Sequence, residues 1–259
     1  MSELQGRGGA MLEVADLHRQ FGGVRAVNGA SFTVPPGQIT GLIGPNGAGK
    51  STVLNVIAGT LRPDAGTVSY RGRDITGLPS YKVARAGIIR TFQISAEFAA
   101  MTVLENLLVA APAQRGERLW QAALGKRYWR PQERANVEIA RQLMARFDMS
   151  AAEDEYAGNL SGGQKRLLEL MRALMARPEL LLLDEPMAGV SPSLARRIEQ
   201  HLVDLSREGL SMLMIEHELA VVARLCDPVV VMAQGRVISQ GTMADVRADQ
   251  EVLDAYLIG

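Results

Sequence analysis

Ile39-Thr40-Gly41-Leu42-Ile43-Gly44-Pro45-Asn46-Gly47-Ala48-Gly49-Lys50-Ser51-Thr52-Val53-Leu54-Asn55-Val56-Ile57 decides the fold. Ile39–Ile43 reads as a buried strand running straight into Gly44, and the spacing of Val53, Leu54, Val56 and Ile57 continues as a helix. Between them, Gly44–Thr52 satisfies the pattern G-x4-G-K-[ST] in the strand–loop–helix setting that the pattern requires. Small residues let successive backbone N–H groups converge on phosphate oxygens, and the helix N-terminus adds its positive dipole end. Lys50 supplies a point charge to the β- and γ-phosphates, and Ser51 a hydroxyl for Mg²⁺. The expected nucleotide-binding residues are therefore Gly44, Pro45, Asn46, Gly47, Ala48, Gly49, Lys50, Ser51 and Thr52. An ordinary glycine-rich turn explains neither the lysine nor the context.

A second chemical group lies far along the chain. Leu180-Leu181-Leu182-Leu183-Asp184-Glu185 is apolar on both faces, as a central parallel strand is, and ends in two acids. Open α/β sheets place ligand chemistry at the carboxyl ends of such strands. Asp184 is expected to face Mg²⁺ and its waters, and Glu185, one step further, to polarise an attacking water as general base. Taken alone the pair also fits a surface acidic turn after a core strand; beside a phosphate loop the catalytic reading is the better one.

The rest of the chain fits around these two. Residues 11–36 alternate loosely and close with Pro35-Pro36-Gly37, predicting antiparallel strands; Thr67–Tyr70 and the residues to Ile75 predict a hairpin rejoining them. From about 94 to 172 the apolar spacing is helical (Val103, Leu104, Leu107, Leu108; Ile139, Leu143, Met144, Phe147), which predicts an inserted helical subdomain. Strands then return in a βα rhythm: Leu180–Leu183, a helix near Leu194–Leu205, Met212–Ile215, a helix around Leu219–Cys226, Val229–Met232, and a tight turn at Gln234-Gly235-Arg236 into Val237–Ser239. Such alternation implies an α/β fold with a mostly parallel sheet. The expected division is a flexible leader at 1–10, an α/β core at 11–93 and 173–259, and the helical insertion at about 94–172.

Bulk properties narrow the class. At 259 residues one large domain with an insertion fits better than two independent domains. Basic and acidic residues number 28 each, so the overall charge of a nucleic-acid binder is missing and no nucleic-acid partner is expected. Cys226 is the single cysteine, read as a buried thiol in a reducing compartment. Met1–Ala10 is glycine-rich and polar, without the layout of a secretion signal. No stretch approaches the ~18 apolar residues of a spanning helix, so a membrane role is expected only through partner chains.

Leu160-Ser161-Gly162-Gly163-Gln164, ahead of the apolar run ending Asp184-Glu185, resembles the signature of ATP-binding cassette (ABC) proteins, and the resemblance covers nearly the whole chain. It implies a P-loop NTPase core with an N-terminal antiparallel β-subdomain and the helical insertion, ATP and Mg²⁺ as ligands, and a head-to-tail pair in which each signature completes the other chain's nucleotide site. Ser161, Gly162 and Gly163 precede a helix, so an exposed helix N-terminus with little side chain could dock on a γ-phosphate. Ser161, Gly162, Gly163 and Gln164 are accordingly expected to bind nucleotide. A plain helix cap would account for Ser161 but is not expected to explain Gly162-Gly163-Gln164. By the same resemblance, Phe21 stacks on adenine, Gln93 in Arg90-Thr91-Phe92-Gln93 senses Mg²⁺ and the attacking water, and His217 contacts the γ-phosphate. Met187-Ala188-Gly189-Val190-Ser191 stands where the family's D-loop lies, with Ser191 in place of the usual aspartate.

Arg90-Thr91-Phe92-Gln93, Met101-Thr102-Val103-Leu104-Glu105-Asn106-Leu107 and Val252-Leu253-Asp254-Ala255-Tyr256-Leu257 look like the ATP-binding subunit of branched-chain amino acid importers. Gly162 departs from many members of that branch, which carry another residue at the third signature position. The implied assembly has a second, nonidentical cassette, two integral permeases and an extracytoplasmic solute-binding protein, with this chain peripheral on the cytoplasmic face of the inner membrane. Other cargoes (urea, short amides, lipopolysaccharide for export) fit related branches. The spacer Pro112–Arg134 mixes arginines with Trp120, Tyr128 and Trp129, and reads equally as a headgroup-facing stretch or a solvated loop. A soluble ABC ATPase of repair or translation would need long coiled-coil insertions or a second cassette in the chain. A P-loop kinase would lack both the signature and Gln93.

Overall fold

A computed structural model describes residues 9–91, 97–112 and 126–258, with side chains left undescribed at 126–130 and 256–258. The chain divides into two compact units, one taking in residues up to Arg90, Glu179–Pro186 and Leu202 onward, the other Thr91–Pro178 and Met187–His201.

In the first unit, β1 (Leu12–Phe21) and β2 (Val24–Val34) pair antiparallel, and β4 (Ala65–Tyr70) with β5 (Arg73–Asp74) extends the sheet in the order β2-β1-β4-β5. Val14 stands opposite Phe32 on one side and Val68 on the other, so the alternating apolar residues of three strands meet on one buried face. The hairpin expected at 67–75 thus rejoins the N-terminal strands.

The other sheet of this unit has six strands in the order β10-β9-β3-β8-β7-β6. They are β3 (Ile39–Ile43), β6 (Ile88–Arg90), β7 (Leu180–Asp184), β8 (Ser211–Ile215), β9 (Val229–Ala233) and β10 (Arg236–Gly241). Every neighbouring pair from β9 to β6 is parallel, and only β10 turns back against β9. Leu180–Leu183 are wholly buried, which explains their unbroken apolarity. Each contributes roughly 1.5–3 kcal/mol on burial. Helices α1 (Lys50–Ile57), α6 (Pro192–Arg207) and α7 (Leu219–Leu225) match the expected βα rhythm. The short strand β6, the helix α2 (Ser80–Arg85) and the C-terminal helices α8 (Met243–Ala248) and α9 (Gln250–Ile258) had no counterpart in the sequence reading. Cys226 is buried, and burial pushes its thiol up to about 12. No helix among the described residues is long and apolar enough to cross a membrane.

In the second unit α3 (Val103–Val109), α4 (Lys126–Arg146) and α5 (Gly162–Met175) carry the expected helical spacing. Of the basic and aromatic spacer, 113–125 lie outside the described residues. The stretch Thr102–Leu107 has a local explanation. Thr102 caps α3 by accepting from Glu105 N while Glu105 accepts from Thr102 N, a reciprocal capping box. Val103 and Leu107 are fully buried, and so is Asn106, whose Nδ2 donates to the carbonyls of Phe98, Met101 and Thr102 while Oδ1 accepts from Phe98 N. This one amide holds the entry to the helix in place. Replacing it leaves the Phe98 N–H without its acceptor, while the three carbonyls keep the donors Met101 N, Ala157 N and Asn106 N, so Asn106→Ala should lower unfolding stability by about 1–3 kcal/mol and speed amide exchange at Phe98 above all; a urea titration and hydrogen exchange check both.

Candidate nucleotide site

The parallel strands bring three chain segments to one edge of the six-stranded sheet. The phosphate loop leaves β3, the acidic pair ends β7, and His217 follows β8, which lies between them. Register fixes the alignment: Ile215 on β8 pairs with Leu42 on one side and Asp184 on the other.

The loop is shaped by close backbone approach. Gly44 has φ +146° and Gly49 φ +100°, and a Cβ on either would fall 2.0 Å from the Met232 carbonyl oxygen or 2.3 Å from that of Ala26. No other side chain fits there. Pro45, Asn46, Gly47 and Ala48 form the turn between them, with Ala48 N donating to the Pro45 carbonyl and Asn46 and Gly47 exposed. Lys50 opens α1 with its side chain buried, its Nζ donating to the carbonyls of Gly44 (2.7 Å) and Pro45 (2.9 Å). Burial pulls its pKa below the usual lysine value, opposed by the charges of Glu185 and Asp184. Ser51 is exposed and Thr52 half-buried on the first turn of α1.

Asp184 closes β7 almost completely buried, one carboxylate oxygen accepting from Arg90 Nη2 at 2.9 Å. Glu185 has φ +50°, a left-handed conformation that costs a glutamate of order 1 kcal/mol or more. Its N–H donates to the Ile215 carbonyl, and its Oε1 lies 2.9 Å from His217 Nε2. With an ionised carboxylate as acceptor, Nε2 carries the proton. The strained turn thus carries Glu185 out of the strand's alternation and against His217, side chains 30% and 45% exposed. Phe21, at the end of β1, is 46% exposed rather than core, with the Arg19 guanidinium 4.9 Å from its ring centre. Gln93 lies outside the described residues.

Oxygen donors at Ser51 and Asp184 suit Mg²⁺, which is commonly held by one or two carboxylates together with substrate phosphates. The glycine cradle at Gly44 and Gly49, walled by the Met232 and Ala26 carbonyls, leaves backbone rather than side chain facing a phosphate.

The signature stretch belongs to the second unit. Ser161 caps α5: its hydroxyl accepts from Gln164 N at 3.3 Å, and Gln164 Oε1 accepts from Ser161 N at 2.9 Å. Contrary to the sequence reading, then, the cap does account for Gln164, as the second half of a capping box. Gly163 has a packing reason too, since a Cβ there would meet Leu194 Cδ2 at 2.5 Å. Only Gly162, whose Cβ would meet nothing within 4 Å, has no local cause. Ser191 caps α6, accepting from Leu194 N at 3.4 Å, so serine does there what an aspartate also does at a helix start.

The model of the ABC transporter family matches residues 27–188, a stretch running from β2 through the phosphate loop and signature to just past the acidic pair. This chain belongs to the ABC transporter family. A second family, the branched-chain amino acid ATP-binding cassette transporter, matches 236–257. Among relatives, a protein named as a probable branched-chain amino acid transport ATP-binding protein of Archaeoglobus fulgidus is 41% identical, covering 95% of both chains. The high-affinity branched-chain amino acid transport ATP-binding protein BraF of Pseudomonas aeruginosa is 38% identical over 95% of this chain and 97% of its own. A crystal structure of a nucleotide-free ATP-binding cassette from an ABC transporter superposes with a TM-score of 0.81 at 38% identity, over 96% of this chain and 99% of that one. The ADP conformation of such a cassette gives the same values. This ABC cassette carries its signature on a conventionally capped helix. Ser161→Ala should therefore lower the stability of the second unit by about 1 kcal/mol, whereas Gly162→Ala should not lower it at all; denaturation followed by helical circular dichroism separates the two.

Proposed function

We propose that this chain binds and hydrolyses ATP as the motor of an importer for branched-chain amino acids or a related small solute. The observation that carries the hydrolytic part is the pairing of a strained Glu185 with His217 at the sheet edge where the phosphate loop also begins. Glu185 accepts a proton from the attacking water, whose oxygen bonds to the γ-phosphorus as the bond to the β,γ-bridging oxygen breaks. His217 orients Glu185 and contacts the γ-phosphate, Lys50 and the loop N–H groups neutralise the phosphates, and Phe21 stacks on adenine. Ser51 and Asp184, with Gln93, hold Mg²⁺, which supplies charge neutralisation at the phosphates.

Ser161, Gly162 and Gly163 of a second cassette chain complete the site, the open space at Gly162 leaving room for a phosphate there. The names of the relatives support the cargo class and the permease partners; the second cassette is a nonidentical chain and the solute reaches the permeases from an external binding protein. The chain sits peripherally at the cytoplasmic membrane face.

Two substitutions test the chemistry. Glu185→Gln should leave ATP binding intact and slow turnover by ~10²–10⁴-fold, the range of a positioned base; near-normal phosphate release in that variant would refute the role. Lys50→Ala should abolish tight ATP binding, because it removes the charge facing the phosphates, and an unchanged dissociation constant in a fluorescent-nucleotide titration would count against the loop assignment.

A further inference from the structure

Arg90 ends the three-residue edge strand β6, paired with Leu182 of β7, and its guanidinium is spent on two partners. Nη2 donates to Asp184 at 2.9 Å, and Nη1 donates to Asn55 Oδ1 at 2.5 Å. The side chains are 17% and 1% exposed for Arg90 and Asp184, so the pair is largely out of water. Nε, also buried, finds no hydrogen-bond partner among the described residues. A buried ion pair with an unsatisfied donor is a poor device for stability alone, since an apolar side chain of similar volume commonly serves as well or better. What Arg90 offers instead is geometry, because its planar fork can hold two acceptors at a set separation.

Asn55 is four residues beyond Ser51 on α1, and positions i and i+4 share a helix face. The chain Ser51–Asn55–Arg90–Asp184 therefore links, through one helical turn and one guanidinium, the two side chains assigned above to Mg²⁺. Thr60 Oγ1 donates to the same Asn55 oxygen at 3.1 Å, which fixes the amide from the other side.

We infer that Arg90 is a positioning residue for the metal: it sets the separation between the Ser51 hydroxyl and the Asp184 carboxylate, and so tunes Mg²⁺ affinity without touching nucleotide. This rests on the reading of Ser51 and Asp184 as magnesium ligands. Partners that orient metal ligands are typically worth ~10–100-fold in metal affinity.

The test titrates Mg²⁺ into the full-length chain with ATP, in a Glu185→Gln background to suppress turnover, and compares calorimetric ATP affinity in Mg²⁺ with that in EDTA. Arg90→Lys keeps the charge but loses the fork; Asn55→Ala leaves Arg90 and Asp184 in place and removes the second anchor. Both should raise the half-saturating Mg²⁺ concentration ~10–100-fold while ATP affinity in EDTA stays within about twofold. Should Arg90→Lys fail to fold, Asn55→Ala alone decides. An unchanged Mg²⁺ requirement in Asn55→Ala, or an equal loss of ATP affinity with and without metal, overturns the inference. Asp184→Asn is the control that separates the two readings: if it too leaves the Mg²⁺ requirement unaltered, the metal assignment itself falls, whereas if it alone raises the requirement, only the role of Arg90 does.

Discussion

Parallel pairing of β3, β8 and β7 is the constraint from which the site follows. Parallel strands end on the same edge, so one topological choice delivers the phosphate loop, His217 and the acidic pair together although they lie more than 170 residues apart in sequence at the extremes. Two strand spacings of about 4.8 Å separate β3 from β7, placing loop and acids about 10 Å apart. That span is narrow enough for Asp184 and Glu185 to act on the charge of Lys50. Left-handed backbone at Glu185 then completes the arrangement. Continued strand geometry would send consecutive side chains to opposite faces; the turn instead brings Glu185 against His217, two residues beyond β8.

Much of this was legible because it is periodic or local. Four consecutive leucines ending in two acids, or an apolar run broken by Gly44–Thr52 and resumed as a helix, carry their own geometry in their spacing. The short strand β6 did not, because three residues ending in an arginine have no period to read, and its partner β7 lies some ninety residues on. In the sequence Arg90 stands out only as the first letter of a family resemblance. Its two hydrogen bonds join residues 35 and 94 positions away, and no local pattern encodes them.

At the signature a local pattern does carry the geometry. Gln164 has a local cause in the serine three residues earlier, with which it exchanges hydrogen bonds. S-x-x-Q before an apolar helical stretch is a capping box on its own terms, and the reciprocal bonds satisfy two backbone donors of the α5 terminus internally. The bare Gly162 lies between the two capping residues, with open space around it. Adjacent residues thus differ in what they do: Ser161 and Gln164 cap the helix end, Gly163 admits Leu194, and Gly162 faces open space.

Lys50 poses the same question in electrostatic form. A buried ammonium is costly unless paired, and here two carbonyl oxygens of its own loop hold it while two carboxylates at the end of β7, two strands away, act against the penalty. Neutral carbonyls are the weaker acceptors, and an anionic phosphate oxygen forms a charge-assisted bond roughly twice as strong. The ammonium is therefore held in position by neutral acceptors that it would exchange for an anionic oxygen at a net gain. The carboxylates that ease its burial must at the same time be kept from pairing with it directly. Asp184 is drawn to Arg90 and Glu185 to His217, so each acid has a cationic or hydrogen-bonding partner of its own, and Lys50 stays turned toward the loop.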